Sequence, residues 1–530
     1  MNGMAEVKGE NDISVRKRNG ITNLGAVKVG SPSLIIPFNG SILTLINSTV
    51  GGAAIYRQYG TISGTTYTQT ASTSVISTTL LDDPTFPFTA AVNANGVTPL
   101  LFTNCKNRAF WIAGTFAVTQ VVVGTCEWFN LGRKTVYGTL YLNGRWYVMD
   151  TTGTIWGSEE ETPATWPALN FITSSQGQGN AVALQKSQSY VVAFKEYSTE
   201  LFFDAGNATG SVLSPVENGF TKIGCAIGTS CASLDDQLFW MSQTIQSGRG
   251  VHVMVGLDQQ KISTPDIDRI LNADSLSTVY AYGIKMDGHR MYVLILVNTN
   301  MTLVYDLDSQ LWYQWSSQDL GNSVSVTSIT RSGTTATVTT SGAHGIADGA
   351  PAGISGAVQT EYNGNFQAKL ISSTAYEIEV SGSPATPATG TILSFPYSEA
   401  YFKFVMGCNY QGRDVVLHHS TGSIYQFRNA EFDDSGAPID FFMRTKRLDG
   451  GALNKKGLPR VTLIADSIAD TCMIRYSDDD CASYTAYRRV NLSYERPVLR
   501  RNGSFRRRTT EVRFLHDKAA QFDSLELEVD

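Results

Sequence analysis

Apolar and polar residues alternate with a period of two along most of the chain, which is the pattern of β-strands with one buried face. Pairs of such segments flank short turn sequences, and the clearest pairs span residues 141–149, 237–255, 291–307 and 414–427. The first pair meets at Asn143-Gly144, a dipeptide favoured in two-residue hairpin turns. The most convincing amphipathic helix is short and covers only residues 266–271. The pattern therefore predicts an all-β protein.

The hairpins recur at a nearly constant interval. One apolar or aromatic residue per hairpin marks the repeat, at Ile155, Phe202, Val253, Val304 and Ile424. The first three intervals are about 47 to 51 residues, and the last is about 45 once a segment of different composition is subtracted. Ile55 and residues 110–113 continue the series upstream less clearly. This spacing predicts a β-propeller of six or seven blades, with a set of β-sandwich domains as the alternative.

Changes of composition mark the predicted domain boundaries. Aromatic residues almost vanish between residues 323 and 392, where Thr, Ser, Gly and Ala take over and short strands alternate. We interpret this segment as a small β domain inserted at an exposed loop. The predicted order is an N-terminal arm (1–30), the first part of the propeller (31–322), the inserted domain (323–392), the closing part of the propeller (393–440) and a C-terminal β module (441–530).

Charge is distributed unevenly along the chain. The 530 residues carry 41 basic and 47 acidic side chains, a net charge of −6, and only 17% of residues are charged. Residues 440–530 hold 17 basic and 14 acidic side chains, so this part is at +3 and the remainder is at −9. An acidic body disfavours a protein that grips nucleic acid by its phosphates, since that requires a basic surface. It agrees with a surface past which nucleic acid slides.

The cysteines predict a protein assembled under reducing conditions. Their number is odd, they are scattered and none forms a C-x-x-C pair, so neither a disulfide framework nor a zinc site is expected. They are Cys105, Cys126, Cys225, Cys231, Cys408, Cys472 and Cys481. Residues 1–20 contain no apolar segment, so no signal peptide is expected. The longest apolar run, residues 291–297, is too short to cross a bilayer.

Catalytic chemistry is not indicated. The sequence has no P-loop, no G-x-S-x-G elbow and no H-E-x-x-H motif. His418 and His419 are adjacent in a predicted strand, so they point to opposite faces and do not easily share a metal. The prediction is a protein that is not an enzyme, with no catalytic residue, no cofactor and no metal site.

Residues 477–484 approximate an Asp box, S-x-D-x-G-x-x-W. Ser477, Asp479 and Tyr484 are in register, whereas Cys481 replaces the glycine. In such a turn the aspartate accepts hydrogen bonds from backbone N–H groups and the aromatic ring packs beneath it. We interpret the segment as a structural turn, with a calcium site as the alternative.

The basic excess of the C-terminal module is concentrated in residues 496–508. Its candidate interface residues are Arg500, Arg501, Arg506, Arg507 and Arg508. A short basic stretch between Glu495 and Glu511 is more typical of a solvated face or a salt-bridged protein interface than of a DNA contact. We expect replacement of Arg506, Arg507 and Arg508 by Ala to impair assembly with a partner ring more than folding of the free chain.

Several segments resemble the tail proteins of short-tailed phages. Residues 302–312 look like a T-x-V-Y-D-x-x-x-x-x-W segment, and residues 239–241, 248–251 and 261–267 resemble an apolar strand with Trp, a G-x-G-V turn and an I-S-T segment. The similarity covers about residues 187–315 and 404–434. On these motifs the chain resembles the packaged-DNA stabilisation, or tail nozzle/hub, proteins of podoviruses.

The resemblance implies a structural β-propeller subunit of the virion tail. Six copies would form a homohexameric ring below the portal and the head-to-tail adaptor ring, retain packaged DNA and conduct it during ejection without specific binding. The ring would also receive tail needle, plug or tail fibre proteins. The chain would have no membrane-spanning segment and would be made and assembled in the host cytoplasm.

The alternative function is a tail protein that binds host glycans or degrades polysaccharide. In the binding version the inserted domain would read the receptor, because exposed aromatic rings stack on sugars. The insert contains only Tyr362, Phe366 and Tyr376 as aromatic residues. A propeller hydrolase would instead need convergent carboxylates over the channel mouth.

Overall fold

A computed structural model describes most of the chain and divides it into two compact units. The described residues are 1–9, 12–26, 30–48, 52–58, 60–63, 66–69, 74–77, 87–93, 100–103, 105, 109–121, 127–320, 323–429, 431–435, 437–449 and 454–529. Unit 1 comprises Met1–Thr22, Asp308–Phe402 and Arg428–Asp530. Unit 2 comprises Asn23–Leu307 and Lys403–Phe427.

Unit 2 is a β-propeller of seven blades, each an antiparallel sheet whose strands follow one another from the inside outwards. Blade 1 contains Ser31–Phe38, Ser41–Ser48, Gly52–Gln58 and Ser74–Ser77; blade 2 contains Thr89–Val92, Leu100–Thr103, Ala109–Ile112 and Val118–Gln120. Blade 3 contains Thr135–Leu142, Arg145–Asp150, Thr154–Gly157 and Phe171–Thr173; blade 4 contains Ala181–Ser187, Tyr190–Lys195, Thr199–Asp204 and Leu213–Thr221.

Blades 5 to 7 complete the ring. Blade 5 contains Gly224–Cys225, Ala232–Leu234, Gln237–Thr244, Gly248–Val255 and Asp258–Lys261; blade 6 contains Val279–Met286, His289–Leu296 and Met301–Asp306. Blade 7 contains Phe404–Tyr410, Arg413–His418 and Ser423–Arg428, and its outer strand is Gly20–Ala26. Unit 2 also holds a hairpin, Gly60–Ser63 with Thr66–Gln69, and the helical segments Glu127–Asn130, Gly228–Ser230 and Pro265–Ala273.

The repeat predicted from the sequence is confirmed and resolves to seven blades. Every position that marks the repeat lies in the third strand of a successive blade when the two short inner strands of blade 5 are counted as one: Ile55, Phe110, Ile155, Phe202, Val253, Val304 and Ile424. The predicted Asn143-Gly144 turn has positive φ at both residues, 47° and 84°, as a type I′ turn requires. The predicted helix is also present, with the Thr264 side chain accepting a hydrogen bond from the Ile267 N–H at its start.

Apolar residues on facing blades form the propeller core. Between blades 3 and 4, for example, Leu140, Met149, Leu184 and Val191 are buried in one cluster. Burying a side chain of this size contributes about 1.5–3 kcal/mol. The inner strands of these blades approach so closely at Gly138 that a Cβ there would lie 1.7 Å from the Leu184 carbonyl oxygen. Gly138 also has a φ of 106°, so only glycine fits this position.

The C-terminal part of unit 1 is a two-sheet structure around one core. The five-stranded sheet runs in the order Gly3–Gly9, Asp12–Lys17, Gln521–Glu528, Arg460–Ala465 and Val498–Arg500. The four-stranded sheet runs in the order Phe441–Arg444, Thr509–Phe514, Thr471–Ser477 and Arg488–Asn491. Lys456–Gly457 and Ser504–Phe505 form a separate two-stranded sheet. Leu463 and Phe522 from the first sheet share a buried cluster with Ile474 and Val512 from the second.

The segment predicted as an inserted domain forms strands around a core of its own. They are Val324–Ser332, Thr335–Thr340, Pro351–Ala357, Gly364–Gln367, Lys369–Ser372, Ala375–Glu379 and Gly390–Tyr401, with the helical turn Thr360–Tyr362. Its core contains Ile329, Val338, Ile354, Tyr376 and Ile378. Unit 1 also includes Leu311–Leu320 and the short strands Asp433–Asp434 and Ala437–Pro438.

Candidate functional site

The candidate arginines of the C-terminal module lie on two adjacent segments of unit 1. Arg500 ends one strand and pairs with Arg460 of its neighbour, while Arg506, Arg507 and Arg508 follow the short strand Ser504–Phe505. Arg500 and the group Arg506–Arg508 therefore both lie along the segment that runs beside residues 456–462. The five arginines nevertheless have different surroundings.

Arg508 belongs to the interior of the module. Its side chain is 5% exposed and forms two hydrogen bonds with the Asp478 carboxylate, Nε to Oδ1 at 2.7 Å and Nη2 to Oδ2 at 2.8 Å. The guanidinium also donates to the Asn502 carbonyl at 2.6 Å and lies 4.2 Å from the centre of the Tyr476 ring. Two parallel hydrogen bonds from one planar group to a carboxylate are a geometry that only the Arg guanidinium provides. We conclude that Arg508 stabilises the module itself.

The other four candidate arginines are exposed. Arg507 pairs with Asp480 at 2.8 Å, and the same carboxylate lies 3.5 Å from Arg447. Arg500, Arg501 and Arg506 form no side-chain hydrogen bond or ion pair with any residue that the structure describes. These three are the candidates that remain available to a partner.

A second charged cluster, which the sequence analysis missed, surrounds Glu511. This carboxylate is fully buried and accepts hydrogen bonds from Arg444 Nε and Arg475 Nε, both at 2.8 Å, and from the Tyr487 hydroxyl. Burial raises the pKa of Glu511, but the hydrogen bonds from Arg475, Tyr487 and Arg444 outweigh it and hold the pKa below its ordinary value. The spacing of these residues in the sequence gave no signal, because Glu511 and its three partners come from four separate segments.

The Asp-box segment forms the structural turn that its sequence predicts. Asp479 Oδ1 accepts from the Ser483 N–H at 2.9 Å and from the Ser477 hydroxyl at 2.7 Å, and the Ser477 hydroxyl accepts from the Cys481 N–H at 2.9 Å. Hydrogen bonds from Ser483 and Ser477 lower the pKa of Asp479 to about 2. The Tyr484 ring lies 4.1 Å from the Arg475 guanidinium. The side-chain oxygens of Ser477 and Asp479 therefore form hydrogen bonds within the turn, whereas Asp478 and Asp480 pair with arginines outside it.

The inserted domain is fastened to the C-terminal module inside unit 1. The Tyr487 N–H donates to Asp348 Oδ2 at 3.2 Å, and Arg513 donates to the Gly349 carbonyl at 3.3 Å. Glu379 accepts from Arg489 at 2.7 Å and from the Thr471 hydroxyl at 3.1 Å. These four hydrogen bonds, at two separate places, hold the inserted domain against the C-terminal module.

The aromatic residues of the insert do not offer a sugar-stacking surface. Tyr362 and Tyr376 are fully buried, and Phe366 packs against the same core. The Tyr376 hydroxyl donates to or accepts from Ser394 at 2.7 Å, so it is also used internally. This removes the argument from aromatic exposure for a receptor-reading insert.

Burial shifts the pKa of His418 and of three cysteines towards their neutral forms. Burial, with Lys403 nearby, lowers the pKa of His418 to about 4, and its Nδ1 accepts from the backbone of Ser420 at 3.3 Å. Burial raises the pKa of Cys105, Cys408 and Cys472 to about 12. Within the described ranges, no three His, Cys, Asp or Glu side chains are grouped as metal ligands would be. Cys126 lies outside the described residues.

Two cavities lie along the propeller axis, and the described residues that line them are almost all neutral. A cavity of about 590 Å³ is bordered by the beginnings of the inner strands of all seven blades, including Ile35, Tyr137, Val182, Tyr280 and Met406, and none of its lining residues is charged. A second cavity, of about 570 Å³, lies towards the other ends of these strands and includes Lys186. Among the residues that line the two cavities, Lys186 is the only charged one.

The fold defines a β-propeller protein. Residues 104–327, about two fifths of the chain, match the family described as Bacteriophage P22 Gp10, beta-propeller, whose model is named for phage stabilisation. These residues are thus similar to a phage tail stabilisation propeller, and the match supports the resemblance to podovirus tail proteins that the sequence predicted. This family is a structural phage tail family and not a known enzyme family.

Solved structures of other propellers share the general architecture at low similarity. The crystal structure of BamB from Moraxella catarrhalis is 11% identical, with a TM-score of 0.37, covering 77% of this chain and 98% of that one. BBS1N in complex with ARL6DN is 10% identical, with a TM-score of 0.33, covering 69% and 99%. No curated protein matches the sequence. Among the described residues, no helix has the length and apolar character needed to span a membrane.

Proposed function

We propose that six copies of the protein form a ring that serves as the tail nozzle, below the portal and the head-to-tail adaptor ring. The ring retains packaged DNA and forms the conduit for its ejection, and it receives needle, plug or tail fibre proteins at its far end. Assembly takes place in the host cytoplasm. The match of residues 104–327 to a phage tail stabilisation propeller carries this proposal.

The dimensions of the propeller support a conduit between copies. The cavities along the axis of one propeller have volumes of about 590 and 570 Å³, and we place the DNA path in the larger space that several copies would enclose. Residues 1–439 are net acidic, and a like-charged wall does not hold phosphates. A closed ring with head-to-tail contacts is a common way to build such a wall from identical chains.

Negative-stain imaging of the purified chain, with and without its adaptor ring, tests the proposal. Six-fold rings or tubes with a central opening wider than a DNA duplex are the expected result. Monomers that release reducing sugar from host polysaccharide would overturn it in favour of a depolymerase. Loss of host adsorption after deletion of residues 323–392, with ring formation intact, would instead support a receptor-binding role.

A further inference from the structure

Two neighbouring segments of unit 1 form a strip of positive charge, of which the pairs of Arg507 with Asp480 and of Arg508 with Asp478 compensate a part. Residues 456–462 run antiparallel to residues 498–505, with pairs from Lys456 opposite Phe505 to Thr462 opposite Val498. Segments 455–460 and 498–508 together contain eight basic side chains and no acidic one. We call these two segments the basic ladder.

The basic ladder contains a pair of like charges that repel each other and do not stabilise the isolated chain. Arg460 and Arg500 are directly opposite each other in the register, and both are exposed. Like charges in this position destabilise a sheet. Arg460, like Arg500, Arg501 and Arg506, has no side-chain hydrogen bond or ion pair with any described residue. An anionic surface brought against the ladder would relieve this repulsion.

The propeller carries such a surface at one end. Turns that join first to second strands and third to fourth strands lie at the same end of every blade, because the strands alternate in direction. In blades 3 to 6 the carboxylates at this end include eight that are at least partly exposed, which we call the acidic row: Glu159, Glu160, Glu161, Asp204, Asp235, Asp236, Asp258 and Asp287.

Internal pairing leaves the acidic row negative. Four basic side chains lie at the same end of these blades, Arg145, Lys186, Lys285 and Arg290. Lys285 and Arg290 both pair with Asp235, and Arg145 lies 3.7 Å from Glu160. Glu159, Asp236 and Asp258 are exposed and have no ion-pair partner among the described residues.

We propose that the basic ladder of one copy docks on the acidic row of a second copy and so forms the head-to-tail contact of the ring. The proposal rests on the proposed function and adds the surfaces that meet. Two different patches of one chain that complement each other in charge generate a heterologous contact, which closes into a ring when the rotation permits. The chain is net acidic, so a neighbouring copy is a better counterpart for the ladder than DNA, which the body as a whole repels.

A charge-reversal series tests the contact. The basic reversal is Arg500→Glu, Arg501→Glu and Arg506→Glu; the acidic reversal is Glu159→Lys, Glu160→Lys and Asp258→Lys; the combined variant carries all six. Each triple reversal should raise the protomer concentration needed for half-maximal ring formation at least about tenfold. The combined variant should return to within about threefold of wild type, because the attraction is restored with opposite sign. Sedimentation velocity at several salt concentrations measures this.

Controls separate assembly from folding. A triple reversal of exposed cations elsewhere, Lys222→Glu, Arg269→Glu and Lys369→Glu, should leave ring formation unchanged. The single variant Arg500→Glu places a carboxylate opposite Arg460, so its melting temperature should be equal to or above that of wild type while its assembly weakens. If Arg500 served only to stabilise the fold, its replacement would lower the melting temperature as well as weaken assembly.

The possible outcomes distinguish this contact from the wider proposal. The contact would be refuted if both triple reversals formed rings at the same protomer concentration as wild type, or if the combined variant stayed dissociated. Either result would leave the proposed nozzle function unaffected. Intact rings together with weaker binding of the basic reversal to duplex DNA, measured by fluorescence anisotropy, would assign the ladder to phosphate contact instead. A wild-type chain that stays monomeric at every concentration, with or without the adaptor, overturns both proposals.

Discussion

The guanidinium of Arg18 forms two hydrogen bonds with the carboxylate of Asp434, at 2.8 and 2.6 Å, and both side chains are buried in unit 1. Arg18 Nε also donates to Asn2 Oδ1 at 3.1 Å, and the guanidinium lies 4.8 Å from the centre of the Phe402 ring. One side chain thus ties the N-terminal residues to two distant segments of the same unit.

Replacing Arg18 by Met should therefore destabilise the protein strongly. The change leaves Asp434 buried without its partner, and breaking a buried pair in this way costs about 3–5 kcal/mol. Urea denaturation followed by tryptophan fluorescence measures the loss. Arg16→Met is the matched control, since Arg16 is partly exposed and lies 3.6 Å from Glu6. A variant with both Arg18→Met and Asp434→Asn should regain part of the lost stability; an R18M chain as stable as wild type would contradict the assignment.

The arginines 506 and 508 should differ sharply in their effect on folding. Arg508→Ala removes two charge-assisted hydrogen bonds and a stacked guanidinium, and we expect a loss of about 2–3 kcal/mol in the free energy of unfolding. Arg506→Ala touches an exposed side chain and should stay within about 0.5 kcal/mol of wild type. Thermal melts of the free chain compare them, and similar losses in both variants would be inconsistent with the geometry.

Acid should weaken the C-terminal module through Glu511. Its pKa is held below the ordinary value of 4.5 in the folded protein. The stabilisation is therefore present above pH 4.5 and is lost as the pH falls through the lower, folded pKa. Calorimetry between pH 3 and 7 should show a smaller pH dependence for Glu511→Gln than for wild type. Equal slopes in the two proteins would mean that another carboxyl group governs acid unfolding.

Alkaline titration should reveal the buried Lys17. Burial lowers its pKa from 10.5 to about 8, against the opposing influence of Asp517, and its Nζ donates to the His516 carbonyl at 2.7 Å. Between these pH values the unfolded chain binds more protons, so the free energy of unfolding contributed by this group rises with pH, by up to about 3 kcal/mol. The difference between wild type and Lys17→Met, measured by urea denaturation from pH 7 to 10.5, isolates this rise from tyrosine ionisation. A constant difference would rule it out.

Calcium should have no effect on the Asp-box turn. The Asp479 carboxylate already accepts hydrogen bonds from Ser477 and Ser483, which complete the turn without an ion. The melting temperature should be the same in EDTA and in millimolar calcium, and Asp479→Ala should lower it equally in both. A calcium-dependent rise that disappears in D479A would support the ion-binding alternative.

The sequence by itself determined the features that depend on neighbouring residues. Period-two alternation and turn dipeptides such as Asn143-Gly144 identified the hairpins, because side-chain direction and turn geometry are set within a few residues. The interval from Ile155 to Ile424 identified the propeller, since each blade repeats the same local arrangement. Ser477 and Asp479 identified the Asp-box turn for the same reason.

Only the tertiary structure decided the features that join distant segments. The outer strand of blade 7 is Gly20–Ala26, which no local pattern connects to residues 404–428. The buried cluster at Glu511 and the pair of Arg18 with Asp434 likewise depend on partners far apart in the chain. The run from Arg500 to Arg508 looked uniform, but folding buried Arg508 and left Arg500 opposite Arg460. Charge along a sequence gives composition, whereas burial and cross-strand register determine which charges are satisfied inside the fold and which remain for a partner.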